Sequence, residues 1–115
     1  MTIRIPLATL AVALGAAAGA IAWPVMADDT GLAVLHDLRR EGGRNCFLDH
    51  FHYGNSSGAS SRKVAESEAI SSWSGFVDLE YGSDWARFSR AASKSVKCEQ
   101  TGGGWGCAIE ARPCK

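Results

Sequence analysis

Three of the chain's four cysteines lie between Val96 and Cys114, in the run V-K-C-E-Q-T-G-G-G-W-G-C-A-I-E-A-R-P-C, and this run limits the fold more than any other. Its residues alternate in polarity at period two, which is the mark of a strand pair with one buried face. Thr101-Gly102-Gly103-Gly104 supplies the turn, since a two-residue hairpin loop needs positive φ and glycine reaches it without a Cβ clash. With Gly102-Gly103 at the tip, Thr101 faces Gly104. Gln100 then faces Trp105, Glu99 faces Gly106, Cys98 faces Cys107 and Val96 faces Ile109. The last cysteine pair falls on a close, non-hydrogen-bonded position, with Cα atoms about 4.5 Å apart, within disulfide reach. Val96, Cys98, Trp105, Cys107, Ile109 and Ala111 share the apolar face, and Lys97, Glu99 and Glu110 share the other. Pro113 lacks an N–H, so the ladder stops there or runs along an edge. The glycines at Gly102 to Gly104 and Gly106 leave a longer loop with a shifted register as the alternative.

Four cysteines mean two disulfides if the chain meets an oxidising compartment, and its front says that it does. Met1 to Ala27 reads as a secretory signal peptide: Arg4 gives the positive start, Leu7 to Ile21 the apolar stretch, and Val25-Met26-Ala27 the small-residue cleavage site. Ala20-Ile21-Ala22 is a second possible site, and an uncleaved membrane anchor is the competing reading of the same run. With the signal cleaved, no stable membrane span is expected. The favoured pairing is Cys98–Cys107 with Cys46–Cys114, and the runner-up is Cys46–Cys98 with Cys107–Cys114. Chain entropy assigns the favoured bridges roughly 2.5–3 and ~4.4 kcal/mol. Cysteine ligation of zinc lacks support, because no C-x-x-C or C-x4-C pair occurs.

Charge excludes some partners. Twelve Lys+Arg balance twelve Asp+Glu, and only Arg4 among them precedes Asp28. A neutral domain has no electrostatic claim on nucleic acid or anionic membrane. Beyond the signal the length allows one small domain, of the size that staples help to stabilise.

Asp28 to Gly43 reads as a short helix capped at Asp29 or Thr30 and running through Arg40, with Leu32, Leu35 and Leu38 on one side, or else as a mobile arm. The single domain then runs from Arg44 to Lys115. N-C-F-L-D-H-F-H-Y-G, from Asn45, reads as one strand, with Cys46, Leu48, His50 and His52 on one face and Phe47, Asp49, Phe51 and Tyr53 on the other. A Gly/Ser loop follows, without the lysine of a phosphate-binding loop. Ser60 or Ser61 caps a long helix towards Tyr81, with Ala65, Ala69, Trp73, Phe76, Val77 and Glu80 on one side and Gly82 as its stop. A helix ending near Gly75 and followed by a strand is the competitor. Trp85, Phe88, Ala91 and Ala92 form another helical turn or lead into the hairpin. The expected architecture is α+β: a three-stranded antiparallel sheet in the order β-α-β-β along the chain, with the helix across its Trp105/Cys107/Ile109 face.

The residues His52-Tyr53-Gly54, Tyr81-Gly82-x-x-Trp85-Ala86, Cys98, Trp105-x-Cys107 and Ala111-Arg112-Pro113-Cys114 resemble a pattern found in small exported proteins of Alphaproteobacteria. That resemblance implies a periplasmic or secreted one-domain protein. It implies no activity and carries no catalytic residue across.

The expected function is therefore a non-enzymatic binding or interaction module with an unidentified protein or small ligand as its partner. Its contact surface would be an exposed aromatic patch drawn from Phe47, Phe51, Tyr53 and Trp85. A second reading is metal binding. His50 and His52 at i and i+2 of a strand point the same way and could chelate zinc or copper, with His36 as a distant third ligand and Asp49 facing away. A third is inhibition of a hydrolase by a rigid disulfide loop. Redox catalysis lacks its C-x-x-C and serine hydrolysis its G-x-S-x-G.

Overall fold

The computed structural model describes residues 28–115, with Gly15 and Gly19 as isolated positions before them. The expected signal peptide, Met1 to Ala27, otherwise lies outside the described residues.

The hairpin takes the register that the alternation dictates. β4 (Ala92–Thr101) and β5 (Gly104–Arg112) pair antiparallel, with Cys98 opposite Cys107, Gln100 opposite Trp105 and Val96 opposite Ile109. The turn chemistry differs in one respect. Neither tip glycine is left-handed; Gly104 carries the positive φ, at 114°, where a Cβ would stand 2.8 Å from the Ala59 carbonyl oxygen. The ladder ends at Arg112, ahead of Pro113. β3 (His52–Asn55) joins the other side of β5, so the sheet order is β3-β5-β4 and the cysteine-bearing β5 is central.

The long helix, α1 (Arg62–Tyr81), crosses this sheet. The Ser61 hydroxyl accepts from the Val64 N–H, satisfying one of the donors that a helix start leaves unpaired. At the other end the Gly82 N–H donates to the Asp78 carbonyl. Ala65, Ala69, Trp73, Val77 and Tyr81 are the buried stripe. Phe76, expected on that stripe, is 59% exposed, and Tyr81 is buried instead. The small alanines matter because the helix lies almost on the backbone of β3. A Cβ at Gly54 would stand 2.8 Å from the Trp73 Cβ and closer still to the Ala69 carbonyl oxygen, so only glycine fits.

The region before the sheet corrects two expectations. Leu32–Leu35 forms only one 3-10 turn, and Leu38 to Arg40 belongs to a strand rather than to a helix. β1 (Leu38–Glu41) and β2 (Arg44–Phe47) make a hairpin of their own. Gly42-Gly43, expected to stop a helix, is its two-residue turn, with φ 55° and 80°. The single strand expected from Asn45 to Tyr53 is also divided. β2 ends at Phe47, residues 48–51 turn, and β3 starts at His52 in a different sheet.

This N-terminal clip is fastened to the far end of the chain. Cys46 pairs with Cys114, and Cys98 with Cys107, as the favoured pairing had it. Asn45 and Lys115 exchange backbone hydrogen bonds, and the Phe47 N–H donates to the Pro113 carbonyl. Arg112, buried, grips both oxygens of Glu41, at 2.6 and 2.8 Å, and also donates to the Ser93 hydroxyl and the Phe47 carbonyl. Phe47 fills the space under the clip. Its ring stacks on Trp85 at 5.1 Å and meets Tyr81 edge-on at 4.7 Å. Among the described residues, the result is an α+β fold with a three-stranded and a two-stranded antiparallel sheet, one long helix and two disulfides. Among the described residues, no helix is long and apolar enough to cross a membrane.

Candidate functional site

The fold gathers all three histidines of the chain at one place. His36 follows the 3-10 turn, His50 sits in the turn after β2, His52 opens β3, and the last two residues of α1, Glu80 and Tyr81, face them. The close approach of helix and β3 allowed by Gly54 is what brings Glu80 to His52.

The distances define two linked groups. In the first, His50 Nε2 lies 3.1 Å from His52 Nε2, and His52 Nε2 lies 3.3 Å from Glu80 Oε2. One donor atom from each of His50, His52 and Glu80 lies within 4.8 Å of the others. In the second, the Tyr81 hydroxyl lies 2.8 Å from His36 Nε2 and 3.0 Å from Glu80 Oε1. His36 also stacks on His50, ring centroids 4.3 Å apart.

Burial disfavours the charged forms of His50 and His52. Burial, then the neighbouring His36, pushes the His50 imidazole below its ordinary value of 6.5, and the Glu80 charge only partly opposes this. His52 is lowered by burial first, against Glu80, with His50 and His36 adding to the depression. Neutral imidazoles carry the lone pairs that a metal needs. Tyr81 moves the other way: burial and its bond to Glu80 raise it, so it stays a phenol and a donor.

Two of the three separations among these donors suit a tetrahedral metal site. Nitrogen or oxygen ligands about 2.0–2.1 Å from zinc, at tetrahedral angles, stand roughly 3.3 Å from one another. The separations of 3.1 and 3.3 Å are close to that chord. Two histidines and one carboxylate leave a fourth position for a ligand from outside. Beside His50 opens a cleft of about 280 Å³ lined by Leu35, His36, Asp37, Asp49 and His50.

Sequence reasoning named His50 and His52 on the grounds of strand alternation. The structure brings them together by a turn instead, because His50 is not in a strand. It offered His36 as third ligand, but the His36 Nε2 is engaged by Tyr81 and Glu80 holds the third place. Glu80 gave one signal: a carboxylate falling on the apolar side of a helix, where an unpartnered charge is costly.

The expected aromatic patch does not form as a unit. Phe47 is fully buried and Trp85 is 3% exposed, its Nε1–H donating to Asp29 Oδ2, because both rings are needed to fill the space beneath the clip. Phe51 is half-buried. Tyr53 alone projects into solvent, at 59% exposure, beside a shallow groove of about 350 Å³ that it lines with Asn55, Ser95, Lys97, Ile109 and Glu110.

No family model, no curated protein and no solved structure matches this chain.

Proposed function

We propose that the protein is an exported, disulfide-stapled binding module that holds one divalent transition-metal ion at His50, His52 and Glu80. The observation that supports this is the gathering of one donor atom each from His50, His52 and Glu80 within 4.8 Å, with two of the separations at the spacing of tetrahedral ligands. Imidazole and carboxylate suit Zn2+ and Cu2+. Thiolate chemistry is closed to the site, because all four cysteines are in disulfides. Two disulfides accord with an extracellular or periplasmic location. The signal-like front, with cleavage after Ala27, supports export as the route. The fourth position of the ion is left to water or to a donor from a partner, and this makes the ion itself the contact point of the module.

The test is titration of the disulfide-bonded protein beginning at Asp28 with Zn2+ and with Cu2+, followed by calorimetry and by metal analysis of the desalted protein. One equivalent should bind. Binding should be abolished in His50→Ala/His52→Ala, weakened in Glu80→Gln and unchanged in the control Glu110→Gln. Failure of the unsubstituted protein to bind a stoichiometric ion, or binding indifferent to the double substitution, would remove the proposal.

A further inference from the structure

The Glu80 carboxylate is half exposed at the end of a helix, and a free glutamate there would sample many rotamers. It is not free. Oε1 accepts a hydrogen bond from the Tyr81 hydroxyl at 3.0 Å, and this leaves Oε2 turned to His52. A phenol has one proton to give. With that proton directed at Glu80, the 2.8 Å contact between the Tyr81 oxygen and His36 Nε2 is made only if His36 is the donor. The chain of donation is thus His36 Nε2–H to Tyr81 to Glu80. Its middle member is fixed by packing, for Tyr81 is fully buried against Phe47 and His52. Its first member touches the other side of the centre as well, since the His36 ring is stacked on His50.

We infer that Tyr81 and His36 are positioning residues of the metal centre, holding the Glu80 carboxylate and the His50 ring in ligating orientation through one hydrogen-bonded and stacked chain. The inference rests on the reading of His50, His52 and Glu80 as ligands. Hydrogen bonds behind a ligand fix its orientation, and their loss commonly weakens metal affinity about 10- to 100-fold. His36 joins a carboxylate ligand to an imidazole ligand, so it orders two of the three donors at once. This role also accounts for its absence from the ligand set.

The experiment is a double-mutant cycle with Tyr81→Phe and His36→Phe, both of which keep an aromatic ring in place. Zn2+ affinity is read by competition with a chromophoric chelator. The visible spectrum of the Co2+-loaded protein reads ligand geometry, and near-UV circular dichroism reports the fold. Each single variant should bind about 10- to 100-fold more weakly than the parent, with an altered Co2+ spectrum. The double variant should bind no more weakly than Tyr81→Phe, because a broken chain cannot be broken twice. Additive losses with an unchanged Co2+ spectrum would show packing effects only and overturn the inference, as would parental affinity in both singles. If Tyr81→Phe does not fold, His36→Phe alone decides by the same affinity and spectrum. Absence of metal binding in the parent overturns the ligand reading and this inference with it. Binding in the parent that neither substitution disturbs overturns this inference alone.

Discussion

The helix with its β4–β5 hairpin and the clip formed by Asp28 to Phe51 are held together in opposite ways. Within each element of the first, partners are close in sequence: Cys98 and Cys107 are nine residues apart, and the Ser61 cap reaches three residues on. In the clip, beyond its own β1–β2 hairpin, the fastenings are distant. Cys46 reaches Cys114 across 68 residues, Glu41 reaches Arg112 across 71, and Asp29 reaches Lys115 across 86. Local periodicity and turn chemistry specify the first region. The second gets its shape from what it is tied to, and its own sequence leaves it undecided between helix and strand. The histidine cluster lies on the seam, with His36 and His50 on the clip side and His52, Glu80 and Tyr81 on the other.

The sharpest way to break this contrast is to remove each staple in turn. In the chain-entropy account, Cys46→Ser/Cys114→Ser should cost about 4.4 kcal/mol and Cys98→Ser/Cys107→Ser about 2.7 kcal/mol, measured by urea unfolding. The first loss should also release the clip, seen as rapid amide exchange at β2 with α1 still protected. Equal costs, or exchange spread evenly over both regions, would mean that the two regions form one cooperative unit. Acid offers a gentler division. Arg112 first, then Arg39, holds the Glu41 carboxyl down to about 2 from 4.5, with burial opposing; Lys115 first, then the Gly31 N–H and Trp85, holds Asp29 down to about 2 from 3.8. Folded values below unfolded ones supply stability that is present above about pH 4.5 and is lost as pH falls through about 2. Both groups are clip fastenings, so amide exchange should rise in β1 and β2 before it rises in β4 and β5 as the pH is lowered. The smallest expected effect is on the other side. Ser61→Ala should remove about 1 kcal/mol by exposing the first turn of α1, without altering exchange in the clip.

The same division explains what the sequence makes legible. The hairpin register follows from alternation about Gly102-Gly103, and the favoured α1 limits follow from a cap at Ser60 or Ser61 and a stop at Gly82, since these signals are complete within a few residues. Arg39, Arg40, Gly42 and Gly43 carry signals that serve equally as a helix end or as a strand and its turn. Only the pairing of β1 with β2, and of Asn45 with Lys115, decides between them. Trp85 looks like a surface aromatic until Phe47 is placed against it. His50 and His52 were legible as a pair on a strand rule that the structure does not obey. Glu80 could be placed beside them only by the tertiary approach at Gly54.

The bridge from Cys46 to Cys114 also sets an order of events. A chain that emerges from its amino end presents Cys46, His50 and His52 long before Arg112 and Cys114 exist to receive the clip. In that interval α1 can form, and soon afterwards the hairpin can close on itself, because their contacts are short-range. The clip must wait for the last strand. Cys46 therefore has no native partner until Cys114 is made. The bridge that secures the clip side of the candidate site, His36 and His50, is thus the one whose partners are made furthest apart in time.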